Sequence, residues 1–260
     1  MSTFDPTPAA RILADAMNTG NRIPSLPESA RPATIAQGYD IQDRVASDAS
    51  GLKDKPAGWK LGLGSAKAMK GAGLDRPLIG RVFSGRLTKN DAEIAAPAGA
   101  KALIEIEIAF TLSRDIAPTE KIANPLDVVA DTHLVSEIVL SRFVDRTVVG
   151  LPSFAADSVG FHALVIGPKV PPSAIAPIAR SLSVTLDGAE VANGLTGDNA
   201  IDPVVMLGAL MAHARDRGIT LRKGEIVTTG TLSKPFDAPV PSAIEARADG
   251  GRVGFKLKAV

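Results

Sequence analysis

The stretch Lys101–Thr111, KALIEIEIAFT, limits what this chain can fold into more than any other. Its Ile and Leu content, with no Gly or Pro, predicts a β-strand. Strand side chains alternate between faces. Ala102, Ile104, Ile106, Ile108 and Phe110 therefore share one face, and Leu103, Glu105, Glu107, Ala109 and Thr111 share the other. An ordinary antiparallel strand keeps its charged face in water. Here the two acids are flanked on their own face by Leu103 and Ala109, so the strand reads as buried on both sides. Two buried carboxylates side by side raise each other's pKa and resist ionisation. A bound divalent cation removes the conflict, and oxygen ligands favour magnesium, calcium or manganese over zinc.

A second apolar strand is expected over residues 134–142, LVSEIVLSR, with Glu137 between Val135 and Val139 on one face. Three acids in apolar company within 33 residues point to one metal site formed by Glu105, Glu107 and Glu137. Lys60 lies in another short apolar strand, PAGWKLGLGS, bordered by Gly. It reads either as a snorkelling surface residue or as a buried, paired cation.

Around these segments the pattern is α+β. Helices are expected over 8–17, over 34–49 with Thr34 as N-cap, over 66–70 capped by Ser65, over 124–131, and over 202–217 opened by Asp202-Pro203. Hairpins are expected at Asp187-Gly188 and at Asp249-Gly250-Gly251. Many short strands with interspersed helices suggest a rolled, mixed sheet. The expected division is a helical N-terminal arm over 1–55 and a β-roll catalytic domain over 56–260.

Composition narrows the function. A net charge of +1 gives no footprint for nucleic acid or an anionic membrane. The absence of Cys removes disulfides, zinc thiolates and Cys nucleophiles together. The N-terminal MSTFDPTPAARILADAM has no long apolar run and reads as neither signal peptide nor membrane anchor, so a cytoplasmic enzyme is expected. No GxGxxG, Walker loop or GxSxG elbow is present. His133, His162 and His213 are isolated and read as packing residues.

Several segments follow one another in a recognisable order: GWKLG at 58–62, the central strand at 101–110, SEIVLSR at 136–142, AADSVG at 155–160 and TTGTLSKP at 228–235. On these the chain resembles the 2-keto-4-pentenoate hydratase and 4-oxalocrotonate decarboxylase branch of the fumarylacetoacetate hydrolase superfamily. The resemblance implies a mixed β-roll flanked by helices, a homo-oligomer, and one magnesium or manganese ion held by Glu105, Glu107 and Glu137. It implies that Lys60 stands beside the substrate and that Gly62, Ser65, Asp157 and Thr231 line its site. Ser158 falls in a segment that carries catalytic polar groups in the family. Leu78 stands where the family has an acid, which leaves Asp75 as the substitute acid/base. The implied activity is metal-dependent hydration of a 2-hydroxydienoate or related 2-oxo acid in aromatic-compound catabolism. Decarboxylation of a 4-oxalocrotonate-type acid, acylpyruvate hydrolysis and a non-catalytic partner subunit are the alternatives.

Overall fold

The computed structural model describes residues 4–260; Met1–Thr3, the start of the N-terminal segment read above, lie outside the described residues. The chain opens with two helices, α1 (Thr7–Thr19) and α2 (Ile35–Val45), the second capped by Thr34, whose side chain accepts from the Gln37 amide. Then come β1 (Pro56–Gly62), α3 (Ala66–Ala72), β2 (Leu78–Phe83), β3 (Leu87–Lys89), β4 (Ala92–Ala96), β5 (Lys101–Leu112) and β6 (Val129–Val139). The chain continues through α4 (Gly150–Ala156), β7 (Phe161–Lys169), α5 (Ile175–Ser181), the hairpin β8 (Ser183–Leu186) and β9 (Ala189–Asn193), and α6 (Pro203–Asp216). It closes with β10 (Ile226–Thr231), β11 (Phe236–Pro239) and the hairpin β12 (Ser242–Ala248) and β13 (Gly251–Ala259).

These strands form two sheets. The larger is mixed and runs β2-β1-β10-β5-β6-β7-β3, with β11 also pairing along β5; the smaller runs β4-β13-β12-β8-β9. The larger sheet curls, and the space between the sheets holds the main core. Ala102, Ile104, Ile106, Ile108 and Phe110, the expected apolar face of β5, lie in that core with Leu134 and Ile138 of β6. The fold is thus the α+β curled sheet with flanking helices.

The opposite face of the larger sheet is covered in two ways. At one end, Ala9, Leu13, Ile41 and Val45 of the N-terminal helices pack with Ala109, Val135, Leu164 and Ile226 from the strands. Burial of this kind is worth about 1.5–3 kcal/mol per large side chain. The helices and the sheet therefore share a second core. At the other end, the same face carries the acids.

Two local expectations change. The segment 124–131 is not a helix. Asn124 accepts from the Leu126 amide and caps a single tight turn over Pro125–Val128, after which β6 begins at Val129. Cross-strand pairing of Leu112 with Val129 and of Thr111 with Asp131 outweighs the helical pattern. Helix α5 lies outside the expected set; Pro177 sits in its first turn, where the missing N–H has no intrahelical partner to lose. No helix among the described residues is long and apolar enough to cross a membrane.

Candidate active site and metal centre

Register brings the acids together. Glu105 of β5 lies directly opposite Glu137 of β6, and Glu107 is two residues along the same face. On the other side of β5, β10 bulges between Thr228 and Thr231, which turns its backbone toward Glu107. On the far side of β10, β1 pairs Lys60 with Thr228. Four adjacent strands therefore deliver one Lys, one Thr, one backbone turn and three Glu to the same patch.

Carboxylate oxygens of Glu105, Glu107 and Glu137 all lie within 4.8 Å of one another. Glu107 and Glu137 are fully buried, while Glu105 is partly open. The Lys60 ammonium is 2.7 Å from Glu137 Oε1 and 3.9 Å from Glu105 Oε2, and it donates to the Val159 carbonyl at 3.3 Å. Of the two readings of Lys60, the buried and paired one is found. Thr228 donates to Glu137 Oε2 at 3.3 Å, and the Gly230 amide donates to Glu107 Oε2 at 2.8 Å. Glu107 Oε1 is buried and has no partner at all.

The electrostatics follow from burial and crowding. Burial, then Glu137 and Glu105, push the Glu107 carboxyl well above its ordinary range, against the pull of Lys60 and the Gly230 amide. Burial pushes Glu137 up as well; Lys60 pulls it back and Glu105 adds to the rise, leaving it at about 7. For Lys60, burial alone would depress the pKa, but Glu137, Glu105 and Glu107 together hold it above its ordinary value. One cation thus faces three acids, two of which resist ionisation.

A divalent ion fits this arrangement. A magnesium–oxygen distance of about 2.1 Å separates opposing ligands by roughly 4.2 Å, and calcium by somewhat more. The donors are all hard oxygens, and the unpartnered Glu107 Oε1 is a buried ligand atom with nothing else to bind.

The Lys60 side is shaped by strain. Ser158 and Val159 both have positive φ, 50° and 53°. That region is sparsely populated for any non-Gly residue and is an outlier for a β-branched one. The turn aims the Val159 carbonyl at Lys60, and it can do so because residue 80 is Gly. A Cβ at Gly80 would stand 2.8 Å from both the Lys60 Cγ and the Ser158 carbonyl carbon.

Of the remaining expected residues, Gly62, Ser65 and Thr231 line a cavity of about 430 Å³ that also reaches Glu105 and Gly230. Ser65 caps α3 by accepting from the Ala68 amide. Ser158 is buried in the strained turn beside Lys60's carbonyl partner. Asp157 faces away from the acids. Its carboxylate is bound by the Arg142 guanidinium and by the Ser141 hydroxyl at 2.6 Å, an internal ion pair that locks the turn. Asp75 is not brought to the cluster either: its side chain is 87% exposed, 3.7 Å from Arg76 Nε. At Leu78 there is no acid to replace, only a buried contact with Phe154 and Val159. Each histidine ring packs elsewhere: His133 against the Gly167 carbonyl, His162 against that of Ala95, and His213 edge-on to Tyr39.

Thr228, Gly230, Gly80 and the Val159 carbonyl are absent from the expected set. Only the TTGT run at 228–231 gave a signal, through its adjacent Thr and Gly.

Fold and site together define a metal-binding enzyme class built on a curled mixed sheet. The fumarylacetoacetate (FAA) hydrolase C-terminal family model matches residues 62–250, and the chain belongs to that family. The chain is 27% identical over 245 residues to a 2-keto-4-pentenoate hydratase of Paraburkholderia xenovorans (strain LB400), covering 91% of this chain and 88% of the hydratase. The 2-keto-4-pentenoate hydratase 3 of Pseudomonas putida matches at the same identity and coverage. Among solved structures, the 4-oxalocrotonate decarboxylase from Pseudomonas putida G7, complexed with magnesium and adipate, aligns over 99% of each chain with a TM-score of 0.84 at 18% identity. A fumarylpyruvate hydrolase from Pseudomonas aeruginosa, in complex with Mn2+ and pyruvate, aligns over 78% of this chain and 89% of its own with a TM-score of 0.56 at 16% identity. At such identities the structural likeness concerns the fold.

Proposed function

We propose that this protein is a divalent-metal-dependent lyase, a hydratase that adds water to a 2-hydroxydienoate such as 2-hydroxypenta-2,4-dienoate through its 2-oxo tautomer, in aromatic-compound catabolism. The observation that carries the reading is the cluster of Glu105, Glu107 and Glu137, two of them fully buried and Glu107 Oε1 buried without a partner, set beside a protonated Lys60. Glu105, Glu107 and Glu137 would hold the ion, with magnesium or manganese as the candidates. When bound, it supplies positive charge against the negative charge that gathers on a 2-oxo acid's oxygen.

The chain's own groups do the rest. Gly230 and Thr228 fix the orientation of Glu107 and Glu137 by one hydrogen bond each. Lys60 keeps its proton at Nζ, is held by Glu137 at 2.7 Å, and stands as a fixed positive charge and hydrogen-bond donor beside the cluster. Glu105, the partly open carboxylate, joins the cluster to the cavity. Gly62, Ser65 and Thr231 form the wall against which the substrate rests, and the strained turn at Ser158 sets the position of Lys60. Asp75 has no place in this scheme.

Decarboxylation of a 4-oxalocrotonate-type acid draws on the same charge stabilisation and is the alternative, supported by the likeness to the decarboxylase fold. Acylpyruvate hydrolysis asks for a His beside the acids, and among the described residues none lies there. Assembly into a homo-oligomer in the cytoplasm belongs to the same reading; the exposed Val144 and Val148 just beyond β6 are surface that assembly would cover. The deciding experiment follows the dienol absorbance with purified protein and Mg2+. Magnesium-dependent loss of that absorbance, abolished by EDTA, is expected. No turnover on any 2-oxo acid while metal still binds would instead mark a non-catalytic partner subunit.

A further inference from the structure

Helix α2 reaches the Lys60 slot from behind. Strand β2 is an edge of the larger sheet, so the backbone groups on its outer side need partners from elsewhere. At Ile79, one residue before Gly80, α2 supplies both. The Ile79 amide donates to the Tyr39 hydroxyl at 3.1 Å, and the Ile79 carbonyl accepts from Gln42 Nε2 at 3.0 Å. The same Nε2 donates to the Ala155 carbonyl at 2.8 Å, in the last turn of α4. Both partners are carbonyls, so both hydrogens of the side-chain amide are used and its orientation is fixed. Gln42 is buried, and α2 comes this close to α4 because residue 38 is Gly: a Cβ there would run into the Pro152 carbonyl.

The two carbonyls belong to the two walls around Lys60. Ile79 precedes Gly80, which pairs with Lys60 and against which the Ser158 carbonyl packs. Ala155 leads into the strained turn that ends in Val159, whose carbonyl accepts from Lys60 at 3.3 Å. Arg142 holds the middle of that stretch at Asp157, and Gln42 holds its start. From the proposed reading, in which Lys60 is the positive charge beside the substrate and on which this step rests, we infer that Gln42 is a positioning residue for Lys60. Its one buried amide sets the spacing between β2 and the 158–159 turn, and so keeps the Val159 carbonyl on the ammonium. Gln42 lines no part of the cavity beside Glu105 and takes no part in the bond changes. Ile41 and Val45 of the same helix pack in the second core, so the packing of α2 and its hold on the slot rest on different residues.

The test replaces Gln42 by Leu, which keeps the bulk and removes both donors, and compares the magnesium-loaded protein with its parent well below Tm. Amides of the 157–160 turn should exchange about tenfold faster or more. On 2-hydroxypenta-2,4-dienoate kcat should fall about tenfold or more, with KM held within about threefold. The magnesium-induced rise in Tm should be unchanged. Tyr39→Phe removes only the acceptor for the Ile79 amide, keeps the ring's packing and should show the same split at smaller size, which leaves the inference testable if Gln42→Leu does not fold. Ile41→Val trims the second core and should lower Tm without changing turn exchange or kcat. Unchanged turn exchange in Gln42→Leu and Tyr39→Phe, a loosened turn with parental kcat, or an equal loss of kcat in Ile41→Val overturns the inference and leaves the reading of the site intact. A parent that takes up magnesium but turns over no dienoate overturns the reading itself, and the inference falls with it.

Discussion

Glu107→Gln separates the cost of the acidic cluster from its use. In the metal-free protein Glu107 Oε1 is buried without a partner, and its neighbours are two more carboxylates. Gln keeps the oxygen that accepts from the Gly230 amide and turns the orphaned oxygen into an NH2 donor facing Glu105 and Glu137. Relief of an unsatisfied buried polar group is worth about 1–3 kcal/mol, so the metal-free variant should be more stable than the parent by that amount. The pH dependence has a definite sign. Glu107's folded pKa lies well above its unfolded value of 4.5, so the parent loses stability as pH rises from 4.5 toward the folded pKa. The variant's advantage is therefore small near pH 4.5 and grows toward its full value at high pH. With magnesium the order reverses. At a metal concentration of about 1,000 Kd the parent gains roughly 4.1 kcal/mol, or roughly 8–16 °C in Tm for a chain of this size. A variant that has lost a ligand gains almost nothing. Thermal unfolding at pH 8, in EDTA and in excess Mg2+, measures both terms. A variant less stable than the parent in EDTA, or one that gains as much from magnesium, refutes the argument that Glu107 is a buried ligand held in conflict.

Lys60→Met should leave the metal-induced rise in Tm in place but lower turnover at least 100-fold; full activity would remove Lys60 from the chemistry. Gly80→Ala should destabilise the protein by about 1–3 kcal/mol and loosen the Ser158–Val159 turn over Lys60, seen as faster amide exchange there. Asp157→Ala strips the buried Arg142 of its carboxylate and should cost about 3–5 kcal/mol in urea unfolding, against well under 1 kcal/mol for Asp75→Ala on the surface. Burial, then Arg217, lowers the His213 pKa to about 4 from 6.5, so its contribution is intact above pH 6.5 and is lost as pH falls toward 4. The parent's unfolding free energy should therefore drop by up to about 3 kcal/mol more than that of His213→Asn over that window, and equal slopes would count against a buried neutral ring.

What could be read in advance was what side chains announce. Alternation along β5 put the isoleucines in one core and the acids on the other face, and the oddity of Glu137 among valines supplied the third acid before any register was known. Asp202, Thr34 and Ser65 announced their helices through caps that need only one residue type in one place. Backbone contributions were not legible. The Gly230 amide and the Val159 carbonyl carry no identity code, and they reach Glu107 and Lys60 only because β10 bulges and the 158–159 turn is strained. Asp157 and Asp75 were misplaced for a related reason. A carboxylate near a motif looks the same whether it faces a substrate, a buried guanidinium or water, and only the partner distinguishes them.

That contrast bears on how the site is held. The acids sit on the middle strands of the larger sheet, where neighbours on both sides fix their backbone, so the conflict among them cannot be relaxed by moving a loop. The buried side-chain cation beside them, Lys60, is fixed just as firmly: its strand pairs β10 on one edge and β2 on the other, and Gly80 of β2 lets the Ser158–Val159 turn close over it. Rigid strands thus keep three acids and one lysine close at a cost that Lys60 only partly offsets. Protonation of Glu107 or Glu137 offsets part of the rest, and a small dication has the charge and size that match the spacing of the oxygens. Other lining residues of the cavity, Leu63, Ser65, Lys67 and Lys234, lie on α3 and the connections outside that rigid patch. Substrate choice can therefore change there without disturbing the acids, which is the division of labour expected when chemistry is carried by a sheet and selectivity by the loops around it.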